Sequence, residues 1–283
     1  VSASKALQGV LLYDANGNAL VGQKTMAASV PVVLASDQGP VQTIQVGAPA
    51  GATSIIAFGD TTQATVGTFA VRRTTYVEQS ANFTGSVVSS NAADAAAGTG
   101  ARSLKITYLD ATGAGPFTET VTLNGTTPVN LANANHCFIE KMEVMSVGAG
   151  AKNAGTLSLF TGAGGAGTLV GTVGVGDNQT FWCHHYVPLG QTTNITGTLV
   201  ANSSTVAGGG CTFLLKAKTI GVATAVEKQV GDTLTLYGQS SQTPRNYLTA
   251  IPVAAGPARI LMYVVTQSSS SLVYRASFDF YDQ

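Results

Sequence analysis

No stretch of about twelve residues in this chain repeats apolar side chains at the i, i+3, i+4, i+7 spacing of an amphipathic helix with a usable cap. Instead, short runs rich in Thr and Val alternate with Gly, Asn, Asp and Pro, the pattern of half-buried strands cut by turns. That excludes alternating parallel strand and helix units and points to an all-β fold. Residues 104–109 alternate inward and outward, Asp110-Ala111-Thr112-Gly113 turns the chain, and 119–123 follows. Asn124-Gly125 then reads as the strongest hairpin turn in the sequence. Further strands are expected over 138–145, 156–160, 179–187, 194–201, 212–218, 233–237, 259–266 and 272–281, with Ser268 to Ser271 as a hairpin loop. The best helical fragment, 91–97, stops at Gly98 and reads as one turn inside a loop.

This spacing suits an antiparallel β-sandwich or jelly-roll-like body. Three zones are expected. Residues 1–50 hold two short strands, 9–13 and 30–34, too little chain to bury a core, and read as an extended anchoring arm. Its apolar centre, Pro31, Val32, Val33 and Leu34, is the expected contact with a neighbour. Residues 51–220 form the body, and 221–283 add strands that join the same sheet or make a small second domain.

Charge narrows the functions. Lys plus Arg and Asp plus Glu each number 14, and charged residues are 10% of the chain, against roughly 25% in ordinary soluble domains. Arg72-Arg73 and Lys216-Ala217-Lys218 are the basic groupings, too small for a nucleic-acid footprint. A neutral, charge-poor subunit is poorly soluble alone, so much of its surface is expected to be covered by other subunits. No segment is continuously apolar over a membrane-spanning length, and the first residues do not read as a signal peptide.

All three histidines and two of the three cysteines fall in His136-Cys137 and Cys183-His184-His185. In a strand, Cys183 and His185 share a face, and with Cys137 on a neighbouring strand they would gather as metal ligands. No established ligand spacing supports this. Cysteines packed as small apolar residues and histidines with local hydrogen bonds are preferred, and no metal or cofactor is expected. A disulfide between two of the cysteines is a lesser alternative. Phe181, Trp182 and Tyr186 form an aromatic group, either a sugar platform or, more commonly, core or interface. The acids, including Glu140, Glu143, Asp279 and Asp282, read as solvated surface charge rather than a glycosidase pair. The run Gly162 to Gly167 lacks the Lys and helix of a phosphate loop and reads as a flexible hairpin tip.

Two stretches carry a resemblance. Pro31 to Gln38 reads PVVLASDQ; further on come AADAAAGTGAR from Ala92, VTLNGTTPV from Val121, NQT from Asn178, and Tyr186-Val187-Pro188-Leu189-Gly190. These blocks resemble virion structural proteins of tailed bacteriophages. The resemblance spans about residues 26–38 and 85–215. It implies a structural virion component with no catalytic residues, assembled in the bacterial cytoplasm; within that, an accessory role in the neck, collar or tail appendages, fibre anchoring included, is preferred. The implied partners are copies of the chain itself, as a trimer or higher oligomer, and other virion proteins, with no nucleic acid and no membrane. A shell subunit would show a long spine helix. Capsid decoration (cement) is the near alternative. A host-glycan receptor-binding module, probed at Trp182 or Tyr274, and a depolymerase are the other classes.

Overall fold

The computed structural model describes residues 52–203, 210–222, 224–231, 233–237, 242–252, 256–266 and 272–283. The arm expected over 1–50, with Pro31, Val32, Val33 and Leu34, lies outside the described residues, as does the Ser268–Ser271 loop. The strands, in chain order, begin with β1 (Ile55–Gln63), β2 (Gly67–Ala70), β3 (Ser86–Ser89), β4 (Ala101–Leu109), β5 (Phe117–Thr122) and β6 (Val129–Asn130). Next are β7 (Phe138–Val147), β8 (Leu157–Phe160), β9 (Leu169–Val173), β10 (His184–Val187), β11 (Thr193–Asn202) and β12 (Gly210–Thr219). The last are β13 (Lys228–Gln229), β14 (Leu234–Tyr237), β15 (Gln242–Pro252), β16 (Ala258–Thr266) and β17 (Leu272–Asp282). Among the described residues the remaining regular element is one short 3-10 turn, Ala163–Gly165, at the tip of the β8–β9 hairpin. The chain is all-β and its strand pairs are antiparallel, as the alternation predicts.

Four sheets surround two apolar cores. One core fills the space between β6-β3-β8-β9 and β5-β4-β7, with Leu104, Ile106, Ile139, Met142, Leu157 and Leu159 at its centre. The other lies between β1-β17-β11-β15 and the sheet built on β10-β16-β12, with Phe213, Met262, Val264, Tyr274, Phe278 and Phe280. Period two produces both cores. Along β17, Leu272, Tyr274, Ala276, Phe278 and Phe280 point inward while Val273, Arg275, Ser277 and Asp279 alternate outward. Strands after residue 221 share sheets with β1, β2, β10, β11 and β12, so position 220 falls inside one pair of sheets.

Two local expectations are corrected. Asn124-Gly125 does turn the chain, with Gly125 at φ 59° and the Thr127 amide donating to the Asn124 carbonyl. It joins β5 of one sheet to β6 of the facing sheet and is not a hairpin. The strand expected over 179–187 becomes regular only at His184. Before it, the Thr180 amide and hydroxyl engage the Met142 backbone and the Val144 amide donates to the Asn178 carbonyl, so this segment edges onto β7 instead.

Candidate functional site

The chemistry-bearing side chains gather where the two cores meet, around β10. Strand alternation sends Trp182 and Tyr186 into the first core and Cys183 and Val187 into the second. Cys183 and His185 share a face, but the cluster imagined for Cys137, Cys183 and His185 does not form. Cys137 is buried in the first core and Cys183 in the second, all three cysteines are free thiols, and no metal-binding group of His, Cys, Asp and Glu occurs among the described residues. Burial pushes the Cys137 thiol up to about 12 and the Cys211 thiol up to about 11, so both stay protonated and unreactive at neutral pH.

His185 has two carboxylates instead. Its Nδ1 lies 3.0 Å from Glu140 Oε1 and its Nε2 lies 3.2 Å from Asp282 Oδ1, while its ring stacks 4.0 Å from that of Phe280. Glu140 Oε2 also accepts the Tyr186 amide at 2.7 Å, and the Thr193 hydroxyl donates to Asp282. Burial alone would lower the pKa of this imidazole. The charge of Glu140 and the hydrogen bonds to Asp282 and Glu140 outweigh it and raise the pKa to about 9. His185 is therefore an imidazolium at neutral pH, with a proton on each nitrogen and no lone pair to act as a base.

His184, on the opposite face, behaves in the reverse way. Burial and the nearby Arg72 guanidinium hold its pKa well below the ordinary value. Arg72 Nη2 sits 3.0 Å from its Nδ1, and its Nε2 lies 3.0 Å from the Glu140 carbonyl oxygen. A neutral ring that accepts from Arg72 and donates to the carbonyl satisfies both contacts. Beside it, the Tyr76 and Tyr186 hydroxyls are 2.6 Å apart, and Tyr186 donates onward to Glu78 at 2.9 Å. Arg259 spans Glu78, at 2.6 Å, and Glu227, which also accepts the Tyr263 hydroxyl. These groups tie β7, β10, β16 and β17 together across the seam.

A second polar centre is more compact. Asp94 has no exposed surface. Its Oδ1 accepts the Ala101 and Ala154 amides at 2.7 and 2.8 Å; its Oδ2 accepts the Gly155 amide at 2.8 Å and the Ser89 hydroxyl at 2.6 Å. Burial would raise its pKa, but these four donors hold it below the usual carboxylate range. The Gly125 amide, in turn, donates to the Asp94 carbonyl at 2.6 Å. Nearby, the Asn153 and Asn178 amides each donate to the other's side-chain oxygen at 2.9 Å.

The aromatic group divides. Trp182 is 4% exposed and Tyr186 1%, both packed around Tyr76, so neither presents an open ring face; Tyr274 is also fully buried. Phe181 points to the other side, edge-on to Phe58 at 5.5 Å and beneath the Arg73 guanidinium at 4.0 Å. Exposed large apolar side chains recur instead on β1 and β11: Ile55, Ile56, Phe58 and Leu199. Nothing in their short runs marked them, because only the tertiary pairing decides which side of a strand faces water.

No protein-family profile and no curated protein sequence matches this chain. Among solved structures it is similar to three from infectious bursal disease virus. The Gx strain structure is 12% identical, covering 81% of this chain and 71% of the other with a TM-score of 0.26. The T=1 particle structure is 14% identical over 82% and 69%, with a TM-score of 0.22. The VP2 subviral particle is 13% identical over 86% and 73%, with a TM-score of 0.21.

Proposed function

We propose that this chain is a non-enzymatic structural subunit of a tailed-bacteriophage virion, an accessory protein of the neck, collar or tail appendages that assembles with copies of itself. The observation that carries this reading is the use the fold makes of the blocks it shares in resemblance with phage virion proteins. Asp94 of AADAAAGTGAR is the buried carboxylate that pins the Ala101 amide of its own block and the Ala154 and Gly155 amides of a distant segment. Gly125 of VTLNGTTPV docks on the backbone of that same residue, and Asn178 and Thr180 of NQT fasten the approach to β10 onto β7 and Asn153. In the last block the Leu189 amide donates to the Gly113 carbonyl. These residues build connections between sheets and leave no free nucleophile beside a free base. The histidine nearest to carboxylates is already protonated, and the cysteines are held as thiols.

The mechanism in this reading is adhesion. Apolar and main-chain contacts are spread over an interface between subunits, and the N-terminal segment around Val32 and Leu34 clamps a neighbour. The host-glycan alternative loses its aromatic platform, since Trp182 and Tyr274 are buried. Gold-labelled antibody imaging of intact particles from the source phage tests the proposal. Gold at the neck or tail supports it, and gold over the head assigns capsid decoration instead. No label on intact or disrupted particles overturns the virion reading.

A further inference from the structure

The outer face of the β1-β17-β11-β15 sheet is ordered in three cross-strand rows. Phe58, Ser277, Leu199 and Pro244 are in register and form the middle row. Two residues along β17 on one side, Arg275 faces Asp60 and Ala201; two residues along on the other, Asp279 faces Ile56 and Gly197. Phe58 is 39% exposed and Leu199 41%, and with Arg275 and Ser277 they line a shallow recess of about 340 Å3.

Both charges flanking the middle row lack an ion-pair partner among the described residues. Asp60 is the natural cross-strand partner of Arg275, but both of its carboxylate oxygens are taken by Arg73, at 2.7 and 3.0 Å. Asp279 is partly exposed beside Gly197, where an added Cβ would lie 3.2 Å from its Oδ2. One cation and one anion thus stand at equal distances on either side of Ser277, separated by an apolar row. That pattern is its own complement under a twofold rotation.

We propose that this face is an isologous self-association surface. A second copy of the chain lays the same sheet face upon it, strands antiparallel, about an axis through Ser277, so that Arg275 of each copy pairs with the partner's Asp279. The dimensions fit. Residues two apart on a strand are about 7 Å apart, and facing sheets pack about 10 Å apart, a gap that Phe58 and Leu199 fill and an arginine spans. Charge complementarity of this kind sets register and partner choice, while the apolar row supplies the buried area. The inference goes beyond the virion reading and does not rest on it: the contact belongs to the purified chain in solution.

Sedimentation velocity over a concentration series, with circular dichroism confirming that each variant is folded, tests it by charge exchange. Wild type is expected to show a monomer–dimer equilibrium. Arg275→Asp and Asp279→Arg each set like charges face to face and should weaken self-association about tenfold or more. The double exchange restores two opposite-charge pairs and should return to within about threefold of wild type. Ser277→Cys supplies a second readout, because the native cysteines are buried. A short bismaleimide should link two copies through this position on the axis. A wild type that stays monomeric overturns the proposal. So do single exchanges that leave association unchanged, a folded double exchange that fails to restore it, or association through another face that leaves Ser277→Cys unlinked.

Discussion

The two sandwiches are built from different kinds of neighbours. The one around Leu104 and Ile139 draws its strands from one continuous stretch, β3 to β9, in which β4 pairs β5 and β8 pairs β9 across short connections. The one around Phe278 joins the ends of the described chain, with Ile55 opposite Phe280, Gln63 opposite Leu272, and β2 beside β16. Loop closure must be met before such distant pairs contribute anything, so the first sandwich can form early and the second only when β17 is in place. The comparison teaches that one compact unit holds a locally specified half and a half specified by its closure.

The largest test breaks the closed half. Phe278→Ala removes a fully buried ring from the second core and should cost about 3–5 kcal/mol, read by denaturant unfolding. The loss should appear mainly as faster unfolding, since its contacts form late, whereas Leu104→Ala in the local half should mainly slow folding. Trp182, the single tryptophan, is buried in the local half and gives the fluorescence signal for both. If Phe278→Ala slows folding as much as Leu104→Ala does, the order of assembly is wrong.

Asp94→Ala probes the local half through its polar staple. It strands three buried amides and a hydroxyl, and should cost about 2–4 kcal/mol by thermal or denaturant unfolding. A cost below that of an ordinary surface substitution would show that water replaces the carboxylate freely.

The contrast also explains what the sequence disclosed. The 104–109 alternation, the Asp110 turn and the strand at 138–145 come from neighbouring residues, and all three stand in the fold. The pattern over β1 does not stand out as a strand, because Gly59 interrupts its run. The structure shows why a glycine is there: a Cβ would lie 2.6 Å from the Cys183 nitrogen and 2.8 Å from the Val71 and Phe181 carbonyl oxygens. The shared face of Cys183 and His185 was legible from period two, but their true neighbours were not. Glu140 and Asp282 read as solvated acids because β7, β10 and β17 meet only in three dimensions. Asp94 falls in the 91–97 fragment that reads as one turn inside a loop, and nothing local announces its partners at Ala154 and Gly155.

The seam between the halves should respond to alkali. His185 has a folded-state pKa raised from 6.5 to about 9, so its stabilising contribution is full below 6.5 and is lost as pH rises through about 9. Its surroundings come from three strands: Glu140 on β7, Asp282 and Phe280 on β17, and Thr193 on β11. Asp282 runs the other way. Its pKa, which burial raises and His185 lowers further, ends below 3.8, so its contribution is present above that value and lost in acid. Wild type should lose about 2 kcal/mol between pH 7 and pH 10. His185→Gln should be less stable at pH 7 and flatter over that range. Equal slopes for the two proteins would remove His185 as the alkaline-sensitive group.

The smallest expected effect sharpens where the seam gains its strength. Tyr76 lies in the first core, and its hydroxyl meets Tyr186, whose own hydroxyl donates to Glu78, the residue that also holds Arg259 on β16. Tyr76→Phe keeps the ring against Trp182 and His184 and deletes the hydroxyl that meets Tyr186 and the Ile139 backbone. Tyr186 retains Glu78 as an acceptor, and the cost should be about 1 kcal/mol by chemical denaturation. Combining it with Arg259→Met in a double-mutant cycle measures coupling along the chain of contacts. A coupling above about 0.5 kcal/mol means the two halves are held by a connected polar network. Additive losses would mean that packing on the two faces of β10 holds them instead, and that the polar groups merely satisfy one another where the cores meet.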